Sequence, residues 1–172
     1  MLGLITPTSG DILINNKNLK SFSRDQILSR FNFASPYVEL PKKLTVKQNL
    51  EIYGRLYAIE NLSERINEIS NDLNIKNFFD RKTGELSSGQ KNRVSLAKAL
   101  INKPEILLLD EPTASLDPDI GDFVRSYIQD YKSKNKVTIL LASHNMSEVE
   151  RLCDSIVTVS YTHLRAHETS NH

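Results

Sequence analysis

The chain has 172 residues, of which 39% are hydrophobic and 25% charged, with a formal net charge of +1. This size and composition are typical of one globular domain or of a piece of a larger one. The near-zero net charge gives no electrostatic reason to expect a nucleic acid as partner. The single cysteine, Cys153, excludes an internal disulfide framework. No apolar run approaches the roughly 20 residues that a membrane-spanning helix needs.

The first part of the chain alternates short strand and helix patterns. DILINN (11–16) follows a turn cluster and predicts a strand, and FNFAS (31–35) predicts another. Between them, SFSRDQILSR (21–30) predicts a short helix that Ser21 or Ser23 would cap.

Residues 45–102 are predicted to be mostly helical. Thr45 would cap a first helix and Ser63 a second one. The residues expected on their buried faces recur at helical spacing. They are Val46, Leu50, Tyr53, Leu56 and Tyr57 in the first helix, and Ile66, Ile69 and Leu73 in the second.

The third helix of this segment begins at LSSGQ (86–90). Ser87 and Ser88 are good N-cap residues, and Gly89 would let a ligand approach the backbone closely. A helix N-terminus presents free N–H groups and a partial positive charge, so this segment could hold a phosphate.

The last part of the chain predicts a parallel α/β sheet. EILLLD (105–110) and KVTILLASH (136–144) read as buried strands, and SIVTV (155–159) begins another. The segments between them read as amphipathic helices, one with Ile120, Val124, Ile128 and Tyr131 inward, the other with Met146, Val149 and Cys153 inward. In such folds ligands bind at the carboxyl ends of the strands.

Reactive side chains lie at the ends of two of these strands. The first strand ends at Asp110, which Glu111 follows, and the second ends at Ser143 and His144. Adjacent carboxylates suit metal-assisted phosphoryl chemistry, in which one holds Mg²⁺ and the next orients an attacking water. Taken singly, an acidic pair is also typical of a solvated corner, and a lone histidine is often structural.

Three segments in one order carry a family resemblance: LSSGQ, ILLLDEPTASLD (106–117) and LASHNMSEV (141–149). Together they resemble the ATP-binding subunits of ABC transporters. LSSGQ is similar to the signature motif, ILLLDE to the Walker B strand, SLD (115–117) to the D-loop, and His144 to the switch histidine. The resemblance covers about residues 1–159.

The resemblance implies an incomplete P-loop NTPase-like fold, a parallel sheet core with an inserted helical subdomain. Residues 1–35 would form part of the core without its phosphate loop, and 36–102 the helical subdomain that ends in the signature helix. Residues 103–160 would form the remaining core, with Walker B, D-loop and switch histidine. We expect 161–172 to be non-native, because VSYTHLRAHET (159–169) matches one frame of a transposon-based sequencing adapter.

The resemblance also implies ATP and Mg²⁺ as cofactors and a role for each motif. Glu111 would be the general base, His144 would contact the γ-phosphate, and Asp110 would hold Mg²⁺ directly or through water. The signature would bind ATP held by a second subunit in a head-to-tail dimer, and the D-loop would bridge the two subunits. The residues concerned are Ser87, Ser88, Gly89 and Gln90 in the signature, and Ser115 and Asp117 in the D-loop.

The chain departs from the family pattern in two chemical features. It contains no G-x-x-x-x-G-K-[ST] phosphate loop, so we expect an N-terminally truncated chain that is inactive by itself. The glutamine that the family places near residues 35–37 is absent, and Ser35-Pro36-Tyr37 stands there instead. Glu39 or a water could take its role.

The resemblance therefore implies an ATPase subunit on the cytoplasmic face of a membrane, partnered by a separate transmembrane permease. SHNMSEVERLCD (143–154) and the Pro-Tyr loop are more typical of exporters of drugs or polysaccharides than of importers. Two alternatives stay open: a non-transport ABC ATPase of DNA repair or translation, and a non-catalytic fragment. No long heptad array of the repair type occurs between 45 and 102.

Overall fold

The structure, a computed structural model, describes residues 9–114 and 116–158. It opens with a two-residue antiparallel hairpin, β1 (Leu13–Ile14) and β2 (Lys17–Asn18). The strand predicted over 11–16 is thus confirmed only at Leu13–Ile14, and the prediction is wrong in continuing it through Asn15 and Asn16. Asn15 and Asn16 have φ angles of 49° and 62°, and this left-handed conformation turns the chain back.

Helix α1 (Arg24–Arg30) runs directly into strand β3 (Phe31–Ala34). Of the two predicted caps the structure uses Ser23, whose side chain accepts from the backbone of Gln26 while the Gln26 side chain accepts from the backbone of Ser23. This reciprocal capping box satisfies two backbone donors at the start of the helix.

The predicted helical segment contains α2 (Val46–Leu56), α3 (Leu62–Asp72) and α4 (Ser88–Leu100). Thr45 caps α2 as predicted, but Leu56 is 74% exposed, because the helix ends there and the side chain points away from the core. Ser63 does not cap α3, since that helix already begins at Leu62 after Asn61. Single turns of 3₁₀ helix at Lys76–Phe78 and Thr83–Glu85 connect α3 to α4.

The rest of the chain completes a three-stranded sheet. Strands β4 (Ile106–Asp110) and β5 (Thr138–Ala142) alternate with helices α5 (Pro118–Asn135) and α6 (Met146–Leu152). The strand order is β3-β4-β5 and both pairings are parallel. The predicted α/β class with a parallel sheet is confirmed. The predicted subdomain boundaries at 35, 102 and 160 stay predictions.

Burial of the sheet differs from the prediction. In β4 only the alternate residues Leu107 and Leu109 are fully buried, and in β5 Leu140 is 52% exposed. The prediction of two buried strands is therefore confirmed only for Leu107 and Leu109. The other residues of β4 are half-buried and those of β5 alternate between exposed and half-buried, so one face of the sheet is more open than the other. Met146 is also exposed, and no strand forms at residues 155–158; Val159 lies outside the described residues.

One continuous hydrophobic core joins the buried sheet face to the helices. Its sheet residues include Ala34, Leu107 and Leu109, and α4 contributes both faces of its second half. Among the described helices, none combines the length and the apolar character that crossing a membrane requires.

A buried arginine fixes the carboxyl end of α4. The Arg65 side chain on α3 is 7% exposed and donates to the backbone carbonyls of Leu100, at 2.5 Å, and Ile101, at 3.2 Å. These carbonyls lie at the end of the helix, where intrahelical donors run out. The Leu100 carbonyl also accepts from the N–H of Lys103 at 3.1 Å, so Arg65 adds a second donor there. Its third contact, with half-exposed Glu68 at 2.7 Å, lies at the surface.

We predict that Arg65→Met lowers the free energy of unfolding by about 1–3 kcal/mol, because the Ile101 carbonyl loses its buried donor and the Leu100 carbonyl keeps only the N–H of Lys103. Glu68→Gln should cost less than about 1 kcal/mol, since it removes only a solvent-screened pair. Urea unfolding of both variants measures the difference. Equal costs for the two variants would contradict the capping role of Arg65.

Candidate functional site

Parallel pairing brings the ends of three strands to one edge of the sheet. Ala34 is paired with Leu109, and Asp110 with Ala142, so the residues that follow β3, β4 and β5 are neighbours. The first consequence is a contact that the sequence did not predict. The Ser35 hydroxyl donates to Oδ2 of Asp110 at 2.9 Å, although 75 positions separate them.

Glu111 follows strand β4 directly and has an unusual backbone conformation. Its φ is 47°, in the left-handed region that residues other than glycine rarely adopt. Its N–H donates to the carbonyl of Ala142 at 2.8 Å, which continues the ladder by one bond. Strained backbone of this kind is concentrated at functional sites. The Glu111 side chain is 18% exposed and contacts His144, which lies just after β5.

Glu111 and His144 form a close pair. Oε1 of Glu111 accepts from the backbone N–H of His144 at 2.9 Å and lies 2.6 Å from Nδ1 of its ring. The hydrogen bond to this carboxylate, and then its charge, raise the pKa of His144 above the usual value. The imidazole is otherwise exposed, so its second nitrogen, Nε2, can face a ligand.

The sequence did not single out Glu148, which the structure places beside this pair. Its side chain is completely buried on α6. Oε1 accepts from the Thr113 hydroxyl at 2.7 Å, and Oε2 accepts from the Ser143 hydroxyl at 2.6 Å. Helical periodicity could have placed position 148 next to inward Val149, but it gives no sign that a carboxylate there would find two hydroxyl partners.

The start of α4 is a capping box, like the starts of α1 and α2. The Ser87 hydroxyl accepts from the N–H of Gln90 at 3.3 Å, and the Gln90 side chain accepts from the N–H of Ser87 at 3.1 Å. Gly89 is buried, and a Cβ there would lie 3.0 Å from the side chain of Ile120. Packing against α5 is thus one reason for glycine at this position.

A cavity of about 250 Å³ lies between the start of α4 and the strand ends. Ser88, Ser35 and Asp110 all line it, together with Asn92 and Pro112. The Asn92 side chain donates to the carbonyl of Pro112 at 2.6 Å, which ties α4 to the loop after β4. The structure therefore brings Ser88 to the same cavity as Asp110, and brings Glu111 to His144.

Asp110 has the donor chemistry that Mg²⁺ prefers, a carboxylate at the mouth of the site. It is half-buried and borders the cavity, so an ion shared with phosphate oxygens fits beside it. In the described ranges no group of three or more acidic, histidine or cysteine side chains forms a metal site by itself. Glu39, the candidate for the missing glutamine's role, is paired with Lys42 at 2.7 Å.

The D-loop residues are only partly described. Asp117 is exposed at the start of α5, where its side chain makes no capping hydrogen bond. Ser115 lies outside the described residues.

Comparison with known proteins identifies the family. The family model described as ABC transporter matches residues 1–114. The chain belongs to the ATP-binding domains of ABC transporters. The ABC transporter ATP-binding protein NatA of Bacillus subtilis is 39% identical over 119 residues, which cover 68% of this chain and 48% of NatA.

Two further relatives of this ABC domain match more of the chain. The Nod factor export ATP-binding protein I of Burkholderia lata is 33% identical and covers 92% of the chain and 52% of its own length. The methionine import ATP-binding protein MetN 1 of Bacillus cereus is also 33% identical, and the match covers 90% of this chain and 46% of MetN 1. The chain thus spans about half the length of the curated relatives it matches.

Solved ABC structures share the fold. The chain is similar to cbiO1 from Clostridium perfringens, part of the ABC transporter complex cbiONQ, with a TM-score of 0.74 and 28% identity. The match covers 89% of this chain and 63% of cbiO1. The predicted P-loop NTPase-like architecture is confirmed by this likeness.

We predict that Glu111→Gln lowers the pKa of His144 toward its ordinary value of about 6.5, because the carboxylate charge that favours imidazolium is removed. NMR titration of the His144 ring protons measures it. The matched control is Glu150→Gln, which neutralises an exposed acid on α6 and should leave the His144 pKa unchanged. An unaltered pKa in Glu111→Gln would show that the pair does not form in solution.

Proposed function

We propose that this ABC transporter ATP-binding subunit binds and hydrolyses ATP to drive transport, with Glu111 as general base. The observation that supports this most directly is the Glu111–His144 pair, 2.6 Å apart, beside Asp110 at the carboxyl ends of neighbouring parallel strands. A carboxylate within reach of a bound water can take its proton as the water attacks a phosphorus atom.

Each residue has a distinct part in this proposal. Asp110 would hold Mg²⁺, directly or through water, and the ion would neutralise charge on the phosphate oxygens. Oε2 of Glu111 would accept the proton of the attacking water, since Oε1 is occupied by His144. His144 would donate to the γ-phosphate through Nε2, because Nδ1 faces Glu111.

We propose that the signature acts on ATP held by a second subunit, in a head-to-tail dimer. The side chains of Ser87 and Gln90 are engaged in the capping box, so the N–H groups of Ser88 and Gly89 would be the donors for the phosphate. Ser115 and Asp117 would lie at the subunit interface. Because Ser88 borders the same cavity as Asp110 within one chain, an arrangement in cis must be tested against this one.

Export of a drug-like or polysaccharide-like compound is the direction that we propose, with a separate permease as partner and the cytoplasmic face of the membrane as location. Support comes from segment 143–154 and from the relative named for Nod factor export. The relative named for methionine import is equally similar, so transport measured in vesicles of known orientation decides the direction.

We predict that the purified 172-residue chain does not hydrolyse ATP detectably. It contains no G-x-x-x-x-G-K-[ST] segment, and this loop supplies the backbone cradle and the lysine for the phosphates. A chimera in which such a segment from an ABC ATPase precedes residue 1 should hydrolyse ATP. Glu111→Gln in the chimera should lower turnover roughly 10²–10⁴-fold while ATP binding is retained. Wild-type turnover in Glu111→Gln would overturn the proposed base.

The arrangement in trans is tested with mixed dimers of the same chimera. One subunit carries Ser87→Glu, which places a negative charge opposite the phosphate, and the other carries Glu111→Gln. In trans the mixed dimer keeps one site with an intact Ser87 and an intact Glu111, whereas in cis each site has one lesion. We therefore expect about half of wild-type turnover in the mixed dimer and almost none in either homodimer. No activity in the mixed dimer would favour the arrangement in cis.

A further inference from the structure

Two loops that carry the proposed catalytic residues meet at one buried carboxylate. Glu148 has no exposed surface, and each of its oxygens accepts from a hydroxyl of a different loop. Thr113 lies two residues after Glu111, and Ser143 lies immediately before His144. Glu148 itself belongs to neither loop, since it lies in the first turn of α6.

The Ser143 hydroxyl has only one hydrogen to donate. It lies 2.6 Å from Oε2 of Glu148 and 3.5 Å from Oε2 of Glu111. A hydrogen bond weakens steeply at the longer distance, so the hydrogen points to Glu148. The backbone N–H of Asn145 donates to the same Ser143 oxygen at 3.1 Å and supports this orientation. Oε2 of Glu111 consequently keeps its lone pairs free.

Burial makes these contacts rigid. A buried carboxylate is costly unless hydrogen bonds satisfy it, and bonds to a charged acceptor are the stronger kind. Thr113 is also nearly buried, and the half-buried guanidinium of Arg125 lies 3.4 Å from its hydroxyl oxygen. If either hydroxyl moved away, Glu148 would lose a partner where water does not reach, so the two loops are held at a fixed separation.

We infer that Glu148 is a positioning residue that binds the hydroxyls of Thr113 and Ser143 and thereby holds Glu111 and His144 in contact. This inference rests on the proposed roles of Glu111 and His144, and it goes beyond them in assigning a function to a residue that touches neither ATP nor water. Without Glu148, the Ser143 hydroxyl would turn to Oε2 of Glu111 and occupy the oxygen that is proposed to take the proton of the attacking water.

The test follows the His144 pKa by NMR titration of the 172-residue chain, without nucleotide. Glu148→Ala should lower this pKa by roughly half of the drop that Glu111→Gln causes, because the pair loosens and because the charge of Glu148 itself raises the pKa of His144. Thr113→Val, which keeps that charge, separates the two causes. Val149→Ala is the matched control: it truncates a buried residue of the same helix that makes no polar contact with the pair, and it should leave the pKa unchanged. Equal drops in the two variants would mean general loosening and would overturn the inference.

Thr113→Val keeps the charge of Glu148 and the shape of the side chain at position 113 but removes one donor to Glu148. It therefore tests the positioning role even if Glu148→Ala fails to fold. It should lower the His144 pKa in the same direction by a smaller amount. An unchanged His144 pKa in Thr113→Val and in Glu148→Gln would contradict the inference. The readout does not involve ATP. If these pKa shifts occur while Glu111→Gln leaves turnover of the chimera intact, the proposed base fails and the positioning role stands.

Discussion

The position of β4 between two parallel neighbours is the constraint on which the rest of the structure depends. Its ladder with β3 and β5 sets the register Ala34–Leu109 and Asp110–Ala142. Parallel strands end at the same edge, so the residues after each strand meet although they are far apart in sequence. A shift of one residue in this register would turn Leu107 and Leu109 to the open face and separate Ser35 from Asp110.

Polar contacts near both ends hold helix α4 to the loop after β4, to β3 and to α3. Asn92 joins its first half to the loop after β4, and Arg65 caps its last carbonyls. Near its end, Lys98 donates to the carbonyl of Phe33 at 2.8 Å, and burial lowers the pKa of this amine to about 8. A desolvated ammonium is costly, so the contact is more valuable for orientation than for stability. The first turn of α4, which carries the signature, is fixed relative to the strand ends as a result.

The strand ends combine backbone strain with buried polar contacts. Glu111 has a left-handed backbone, and its side chain meets both the backbone and the ring of His144. Such a conformation persists only where surrounding contacts determine it. The hydrogen bond from Glu111 to the carbonyl of Ala142 holds one side of the turn after β4. The hydrogen bonds that the Thr113 and Ser143 hydroxyls donate to Glu148 hold the other side. The exposed imidazole is in this way attached to a rigidly held carboxylate, which is the arrangement that the proposed catalytic roles would need.

The sequence by itself determined the elements whose cause is local: the cap at Thr45, the caps at Ser23 and Ser87 as one of two neighbouring candidates each, the helices that follow them, and the motifs that mark the ABC family. These follow from neighbouring residues, since a cap acts within one turn. Tertiary structure alone decided which faces are covered and which distant groups meet. The exposure of Leu56 and Leu140 depends on what packs beside them, and the contact of Ser35 with Asp110 depends on strand register. The contacts of Glu148 could not be predicted from the sequence for the same reason, because its two hydroxyl partners come from loops that only the parallel sheet brings together.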